Sequence, residues 1–509
     1  MKKLLLFLLA LTPFVAKAQD RIMVIADPHV LPQSVIDQEA NFDEYMAKQR
    51  KMIDLSEPIW HALEDTALRY QPSLILIPGD LTRDGEQAAH DTVSATLLRL
   101  QQAGIRTLVI PGNHDLPGAN WESLYPGTFQ NAVKDAGSHS YAVEPLPGLT
   151  VIGIDGSNGN ASVGELSDAT LSFILAQADS AVAKGHTIIA MSHWQILEHF
   201  DQQGTLESSC RFRNADDLRD SLMHHGVHLV LTGHFHINGI TTYRDTTGLT
   251  TDSLVEITTG SPITYPCPFR WLTHTPSRGE IAVETDYLTS VDTIADLETY
   301  SREWMREHAT NMIPALAIRA WNKVDSKWDN TIVPMFKQAH IPTISINYIH
   351  DHMLPSTDEE RIDITQRHLG KAAVDMYLFH SEANEFERPE MGQALADSVY
   401  AGMEGMMSEC FGLLDEMLAG IKLLAKQMAQ DPVQSLVEDK TMRNSALHSD
   451  VTDDLHPSLM INNPQIFTDV NSAEVITGPY RKVLRNGQVL IEHPDGSQYT
   501  ILGEKVRAY

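Results

Sequence analysis

Cysteine is scarce in this chain, with only three among 509 residues. Cys210, Cys267 and Cys410 allow at most one disulfide, in three possible pairings, so the fold cannot depend on a disulfide framework. A bias toward disorder is also absent, because 42% of the residues are hydrophobic and 21% are charged. The length exceeds one ordinary core, and we expect two or three structural units.

Basic residues are in short supply. The chain has 38 lysines and arginines against 67 aspartates and glutamates, for a formal net charge of −29. Binding to a nucleic-acid backbone depends on a basic surface, and so does attraction to anionic lipid. The composition therefore argues against polymeric nucleic acid as a partner, and it leaves the oligomeric state open.

Long apolar runs are absent after the N-terminus, so no later segment is predicted to span a membrane. The N-terminus itself has a lysine pair, an apolar run over residues 4–11 and the small-residue site Ala-Lys-Ala at 16–18. This order predicts a secretory signal peptide over residues 1–18. A retained anchor is the alternative, but the run is shorter than the roughly 20 residues of a spanning helix. We expect an exported protein, periplasmic or secreted, with no transmembrane segment after cleavage.

Three patterns divide the rest of the chain. Residues 19–290 alternate short apolar runs with amphipathic stretches such as 85–103, which is typical of an α/β domain. Helical periodicity dominates residues 291–464, and residues 465–509 carry turn dipeptides between apolar runs, which predict a small β meander. The strands predicted in the α/β domain are residues 22–26, 74–78, 107–110, 150–154, 187–191 and 228–231.

Five short polar motifs follow predicted strands. Taken alone, an aspartate or histidine after a strand is more often a helix cap or a hydrogen-bonded structural residue. Here all five lie in one half of the chain at strand ends, where open α/β sheets place their ligands. The motifs are Asp27-Pro28-His29, Gly79-Asp80, Gly112-Asn113-His114-Asp115, Ser192-His193 and Gly233-His234-Phe235-His236.

The donor atoms of these motifs predict metal ions. Asp27 and His29 are two residues apart, so both can face one side of an extended segment, and the same holds for His234 and His236. Carboxylate, carboxamide and imidazole donors without thiolates suit Mn, Fe, Zn or Co better than a structural zinc or a calcium ion. The donors are too many for one ion, so we expect a pair of transition-metal ions.

The order of the motifs resembles that of the calcineurin-like metallophosphoesterase superfamily, over residues 21 to about 265. The resemblance implies a four-layer α/β/β/α sandwich of two mixed sheets, followed in this chain by the helical unit and the β meander. It further implies direct attack on phosphorus and seven metal ligands: Asp27, His29 and His236 for one ion, Asn113, His193 and His234 for the other, and Asp80 bridging both.

The resemblance also implies a catalytic role for His114. This histidine is expected to be the general acid, with Asp115 orienting its imidazole. A purely structural histidine is the alternative. Many relatives carry an arginine soon after the Gly-Asp motif, and Arg83 is placed there, but a surface salt bridge explains it equally well.

The predicted function is hydrolysis of a small-molecule phosphate ester by a hydroxide that bridges two metal ions. A phosphodiesterase is favoured over a phosphomonoesterase, because no cluster of arginine or lysine near the motifs offers the clamp that a dianionic monoester favours. A non-catalytic binding or scaffold protein on the same fold is another alternative, although the ligand set is complete. A further interpretation makes the helical unit a partner-binding module.

Overall fold

The computed structural model describes residues 19–115, 120–157, 163–199, 203, 208–245, 253–338, 343–382 and 389–411, together with short strands between residues 459 and 506. The predicted signal peptide lies outside these residues. Among the described helices, none is both long and apolar enough to cross a membrane. The three cysteines are free and buried.

The described strands form two sheets. They are β1 (Asp20–Val24), β2 (Leu74–Pro78), β3 (Arg106–Ile110), β4 (Val133–Lys134), β5 (Tyr141–Leu146), β6 (Leu149–Ile154), β7 (Thr187–Ser192), β8 (Leu229–Thr232), β9 (Gly239–Arg244), β10 (Ser253–Thr258), β11 (Pro268–Thr275), β12 (Glu280–Tyr287), β13 (Leu459–Asn462), β14 (Val470–Ala473), β15 (Arg481–Arg485), β16 (Gln488–Glu492), β17 (Gln498–Thr500) and β18 (Glu504–Val506).

The described helices flank the sheets and then continue beyond them. They are α1 (Gln33–Ile36), α2 (Phe42–Met46), α3 (Ser56–Tyr70), α4 (Gln87–Gln102), α5 (Trp121–Leu124), α6 (Pro126–Phe129), α7 (Asp168–Ala183), α8 (Ala215–His224), α9 (Leu297–Lys327), α10 (Val333–Gln338), α11 (Thr343–His352), α12 (Asp358–Glu382) and α13 (Pro389–Phe411). Shorter 3₁₀ turns lie at Ile53–Leu55 and Ser208–Cys210, and a π-helical turn lies at Trp328–Ile332.

Each sheet has a parallel centre. In the first sheet β1, β2 and β3 are parallel, and β11 pairs antiparallel with the other side of β1. In the second sheet β6, β7, β8 and β10 are parallel, with β9 antiparallel at one edge. The carboxyl ends of neighbouring strands in each sheet are therefore side by side.

The sheets pack face to face, and helices cover their outer faces. In β1, Ile22 and Val24 enter the core between the sheets, whereas Met23 packs under α3 and α4. On the outer face of the second sheet, Ile174 of α7 and Leu222 of α8 belong to a separate core. Central strands are thus buried on both faces, which explains their continuous apolar runs. The predicted four-layer sandwich is confirmed.

The six predicted strands are all present, shifted by two residues or fewer. Strands β9 to β12 were not predicted. Strand β9 has few apolar residues, and its middle consists of Thr241, Thr242 and Tyr243. It therefore lacks the apolar run by which the central strands were recognised. Pairing with β10 forms this strand, and that partner is visible only in the fold.

The helical region packs onto the sandwich. Helix α12 shares one core with α13 through Phe379 and Tyr400, and a second core with α9 through Leu378 and Met305. Tyr265, from the turn that precedes β11, is a member of the second core. The predicted helix that begins near residue 391 is present to residue 411, and its remainder lies outside the described residues.

Strands β15, β16, β17 and β18 pair antiparallel in chain order, which is a meander like the predicted one, but they are part of a larger sheet. Strand β13 pairs antiparallel with β12, and β15 pairs parallel with β13, so these strands extend the first sheet to eleven strands. Strand β13 also lies inside the range predicted as helical. The sequence shows the turns between such strands, but it does not show which sheet edge they join.

Candidate metal centre

The motif residues meet at one edge of the sandwich. Asp27, Asp80 and Asn113 follow β1, β2 and β3 of the first sheet, and His193 and His234 follow β7 and β8 of the second. The carboxyl ends of parallel strands are where open α/β sheets place ligands. The structure brings together all seven residues that were predicted as metal ligands.

A first group of donors consists of Asp27, His29, Asp80 and His236, whose ligand atoms lie within 4.8 Å of one another. The Nε2 atom of His29 is 3.0 Å from Nε2 of His236 and 3.5 Å from Oδ2 of Asp80. All four side chains are buried. Two imidazole nitrogens and two carboxylate oxygens that converge in this way form a cation site.

A second group consists of Asp80, His193 and His234, whose ligand atoms again lie within 4.8 Å of one another. His193 Nε2 is 3.3 Å from Asp80 Oδ2 and 2.9 Å from His234 Nδ1. The carboxamide oxygen of Asn113 lies 3.0 Å from the same Nε2 atom. Asp80 belongs to both groups, which is the position that a bridging carboxylate requires.

The protonation states fit transition-metal ions. Burial lowers the pKa of both His29 and His236 well below the usual range, so each imidazole is neutral with a free lone pair. Their Nδ1 atoms are buried without a hydrogen-bond partner in the described structure. Burial raises the pKa of Asp27 to about 8, and a bound cation opposes such a shift. The donors therefore suit cations better than an empty polar pocket.

The motif glycines make room for the ligands. A Cβ at Gly112 would lie 2.2 Å from Oδ1 of Asp80, and one at Gly233 would lie 2.3 Å from Oδ2 of Asp27. At Gly79 it would lie 2.5 Å from Nδ1 of His193. Any side chain at these positions would displace a proposed ligand, which explains why each Gly belongs to its motif.

The backbone of the ligands is strained. Five of the predicted ligands have a positive φ: Asp27 (51°), His29 (42°), Asp80 (51°), His234 (68°) and His236 (60°). Non-glycine residues rarely adopt this region, and each costs on the order of 1–3 kcal/mol. The sharp turns aim consecutive motif side chains into one cavity, and packing of the sandwich maintains them.

Hydrogen bonds orient the second group. His193 donates from Nδ1 to the Pro78 carbonyl at 3.0 Å, and His234 donates from Nε2 to the Ser209 carbonyl at 3.2 Å. Each histidine thereby directs its other nitrogen at the ion site, which is the usual arrangement of metal-ligating histidines. The carboxylate of Asp27 is held in turn by the backbone N–H of His234, at 2.9 Å.

His114 lies beside the two groups but not within them. Its ring contacts the ring of His29 edge to face, with the centroids 4.8 Å apart, and its backbone N–H donates to Asp80 Oδ1 at 2.9 Å. Its Nδ1 atom is 2.7 Å from Oδ1 of Asp84. This pairing leaves Nε2 of His114 available to a substrate.

The prediction that Asp115 orients His114 is wrong. The carboxylate of Asp115 accepts hydrogen bonds from the backbone N–H and hydroxyl of Thr82 and from the N–H of Gly112. Both oxygens of this carboxylate are engaged in these hydrogen bonds, which connect the loop after β2 to the loop after β3. Asp84 occupies the orienting position instead. Because His114 and Asp115 are neighbours in one motif, the sequence pointed to the wrong aspartate.

Two further residues near the centre belong to none of the five sequence motifs. The buried Glu256 of β10 accepts from the N–H groups of Ile196 and Leu197 at 2.7 and 2.8 Å, and from the hydroxyl of Thr232 at 3.1 Å. It therefore joins the loop after His193 to the end of β8. The second residue is Lys51, a buried lysine whose charge acts on several motif residues.

Arg83 is engaged in ion pairs. Its guanidinium donates to Glu39 at 2.5 Å and to Glu86 at 2.6 Å. The salt-bridge interpretation of Arg83 is the one that the structure supports.

Two adjoining groups of carboxylate and histidine donors lie where the two sheets of the sandwich meet. This arrangement is that of a dinuclear metal-binding protein. The family is given by comparison: residues 20–238 match the model of the calcineurin-like phosphoesterases. Residues 20–238 therefore carry a calcineurin-like phosphoesterase domain, and the buried cluster within them fits a dinuclear metal site.

Solved structures similar to the chain include a dimetal phosphatase from Danio rerio, at 15% identity and a TM-score of 0.40, covering 52% of this chain and 95% of that one. A protein from Thermus thermophilus is also similar, at 15% identity and a TM-score of 0.27, covering 53% of this chain and 99% of the other. No curated protein sequence matches the chain.

Proposed function

We propose that this protein is a metal-dependent hydrolase of small phosphoric esters that acts outside the cytoplasm. The observation that carries the proposal is Asp80, whose carboxylate belongs to both donor groups at the carboxyl edge of the sandwich. Export is proposed from the predicted signal peptide over residues 1–18.

The proposed ligands are those on which the two groups converge. One ion is assigned to Asp27, His29 and His236, the other to Asn113, His193 and His234, and Asp80 to both. Mn, Fe and Zn all suit these donors. When bound, such a pair of ions supplies a hydroxide at neutral pH and neutralises negative charge on the phosphoryl group.

His114 is proposed to protonate the leaving oxygen. Asp84 accepts from Nδ1 at 2.7 Å and so stabilises the doubly protonated imidazolium, in which Nε2 carries the proton that passes to the leaving oxygen. The hydrogen bond to His114 contributes to a pKa of Asp84 below its usual value despite burial, which keeps Asp84 a carboxylate. Asp84 is therefore a positioning residue, because it acts through His114. The reaction is a direct displacement without a phosphoenzyme.

The narrower assignment as a phosphodiesterase stays a prediction. This assignment depended on the absence of an arginine or lysine cluster close to the motifs in the sequence. In the folded chain Lys51 is such a cation, because Asp80 and Asp27 are among the groups that interact with its charge. This observation favours the alternative, a phosphomonoesterase of the same mechanism.

A non-catalytic binding protein is less well supported. Loss of catalysis is expected to leave gaps in the donor set, whereas Asp80, Asn113 and His114 are all placed with partners in the centre. Binding without turnover in the metal-loaded protein would favour this alternative.

The proposal is tested by hydrolysis of bis(p-nitrophenyl) phosphate and p-nitrophenyl phosphate, before and after a chelator and after Mn²⁺ is restored. We expect chelator-sensitive release of p-nitrophenol, and a loss of at least about a hundredfold in Asp80→Asn, since even residues that only orient ligands contribute about 10–100-fold. Asp65→Asn, on the exposed side of α3, is the matched control. The absence of release from both substrates by the metal-loaded wild type would overturn the proposal.

A further inference from the structure

Lys51 is a buried lysine without a direct partner. It lies between α2 and the 3₁₀ turn at Ile53–Leu55, and only 8% of the residue is exposed. In the described part of the chain, no acceptor lies within hydrogen-bond or ion-pair distance of its ammonium group. Its Nζ atom is not one of the buried side-chain atoms that lack a partner, so the ammonium at the end of this buried side chain reaches solvent and is open to an anionic ligand.

The backbone around Lys51 is bound to the metal centre. The N–H of Met52 donates to the Ile263 carbonyl at 2.8 Å. In the same turn, the hydroxyl of Ser261 donates to the Asp27 carbonyl at 2.6 Å. Lys51 is therefore one residue away from a segment that is linked by hydrogen bonds to a proposed ligand.

The charge of Lys51 acts on both parts of the centre. Apart from burial, it contributes most to the low pKa of His29, and it also lowers the pKa of Asp84, the partner of His114. Among the charged groups that act on Lys51 itself, Asp80 is the strongest. The ammonium therefore interacts both with the first donor group and with Asp84, the residue that orients His114.

We propose that Lys51 binds a non-bridging oxygen of the substrate phosphoryl group and makes the centre select phosphomonoester dianions over phosphodiester monoanions. The inference rests on the proposed function. Asp27 and Asp80 balance only part of the charge of two divalent ions, and Lys51 adds a further positive charge beside them. A dianion neutralises this excess better than a monoanion, and charge-assisted hydrogen bonds to phosphate are among the strongest.

The helical region holds Lys51 in place. The Asn311 side chain of α9 donates to the Ala47 carbonyl at 2.8 Å, and the Arg50 guanidinium donates to the Tyr377 hydroxyl of α12. Residues 47–52 are thus fixed by the helices on one side and by the turn at 261–265 on the other. A cation that is already positioned loses little entropy when it binds a ligand.

The test uses the metal-loaded full chain, with Lys51→Met as the variant and inorganic phosphate as the probe. The variant keeps an unbranched side chain, one heavy atom shorter, and removes the charge. Lys48→Met is the matched control, because Lys48 is on the same segment but exposed, in an i,i+4 pair with Glu44. The measurements are the Kd of phosphate by calorimetry, bound metal by mass spectrometry, and kcat/KM for p-nitrophenyl phosphate and its bis ester.

We expect Lys51→Met to weaken phosphate binding roughly 10–100-fold, the range of a charge-assisted hydrogen bond. The kcat/KM for the monoester should fall by a similar factor, while the value for the diester changes less than about threefold and the metal content is unchanged. Lys51→Arg, which restores the charge, should recover part of the phosphate affinity.

Three results would overturn the inference. They are an unchanged phosphate Kd, equal losses on the two esters, and loss of the ions from Lys51→Met, which would assign Lys51 to the integrity of the centre. Failure of the proposed function is distinguishable, because it would appear in the wild type as an absence of turnover.

Discussion

The sandwich and the helical region serve the candidate centre in different ways. The sandwich supplies all the proposed ligands, each at the end of a strand that is buried on both faces. The helical region supplies none of the described donors, but Asn311 and Tyr377 hold the segment that carries Lys51. Ion binding is therefore expected to depend on the sandwich, and selection among phosphate esters on the contact between the two regions.

The largest expected effect comes from a substitution in the sandwich that replaces none of the ligand residues. Gly112→Ala introduces a Cβ at 2.2 Å from the Asp80 carboxylate, so the bridging position is expected to be lost together with metal and activity. Mass spectrometry of bound metal measures this. The control is Gly104→Ala. Gly104 has open space around its Cα but a φ of 87°, so this substitution should lower the free energy of unfolding by only about 1 kcal/mol. Full metal content in Gly112→Ala would refute the steric account.

A second prediction distinguishes the roles of Asp84 and Asp115. Asp84→Asn removes the carboxylate that holds His114, so kcat for an alkyl phosphate should fall about 10²-fold, in the range of general acid catalysis. The loss should be much smaller for p-nitrophenyl phosphate, whose leaving group needs no proton. Asp115→Asn should instead lower the unfolding temperature, because it disturbs the bonds to Thr82 and Gly112. If Asp115→Asn gave the dependence on leaving group, the original assignment would be restored.

A third effect concerns Glu256, which stabilises the second donor group by binding the loop after His193 and the end of β8. Glu256→Gln replaces one acceptor oxygen by a donor that faces backbone N–H groups or the Thr232 hydroxyl. We expect a loss of about 1–3 kcal/mol in unfolding free energy and about tenfold in affinity for one of the two ions. Metal titration with calorimetry and denaturant unfolding measure these, with the exposed Glu284→Gln as control. Equal weakening of both ions would contradict the local account.

The smallest expected effect comes from the helical region. Tyr377→Phe removes one hydrogen bond to Arg50, worth about 1 kcal/mol, so KM for p-nitrophenyl phosphate should rise severalfold while kcat and metal content stay the same. Tyr348→Phe, at an exposed position of α11, is the control. A fall in metal content in Tyr377→Phe would show that the helical region serves the ions as well, and would remove the contrast between the regions.

Local patterns account for what could be predicted. Strands such as β2 bury both faces, so they appear as uninterrupted apolar runs, and their polar ends stand out. Strand β9 and the partner of His114 were missed for the opposite reason. The threonines of β9 resemble a loop, and Asp84 lies in a polar segment where its contact with His114, 30 residues away, leaves no local trace.

The sequence by itself determined the donor chemistry and the order of the strand ends. Oxygen and imidazole donors without thiolates, placed after parallel strands, are sufficient to predict a dinuclear site, because parallel strands align their carboxyl ends. Only the tertiary structure decided that Asp84 rather than Asp115 orients His114, and that the charge of Lys51 acts on the centre. Both facts depend on packing between segments that are distant in the chain, and residue spacing does not encode such packing.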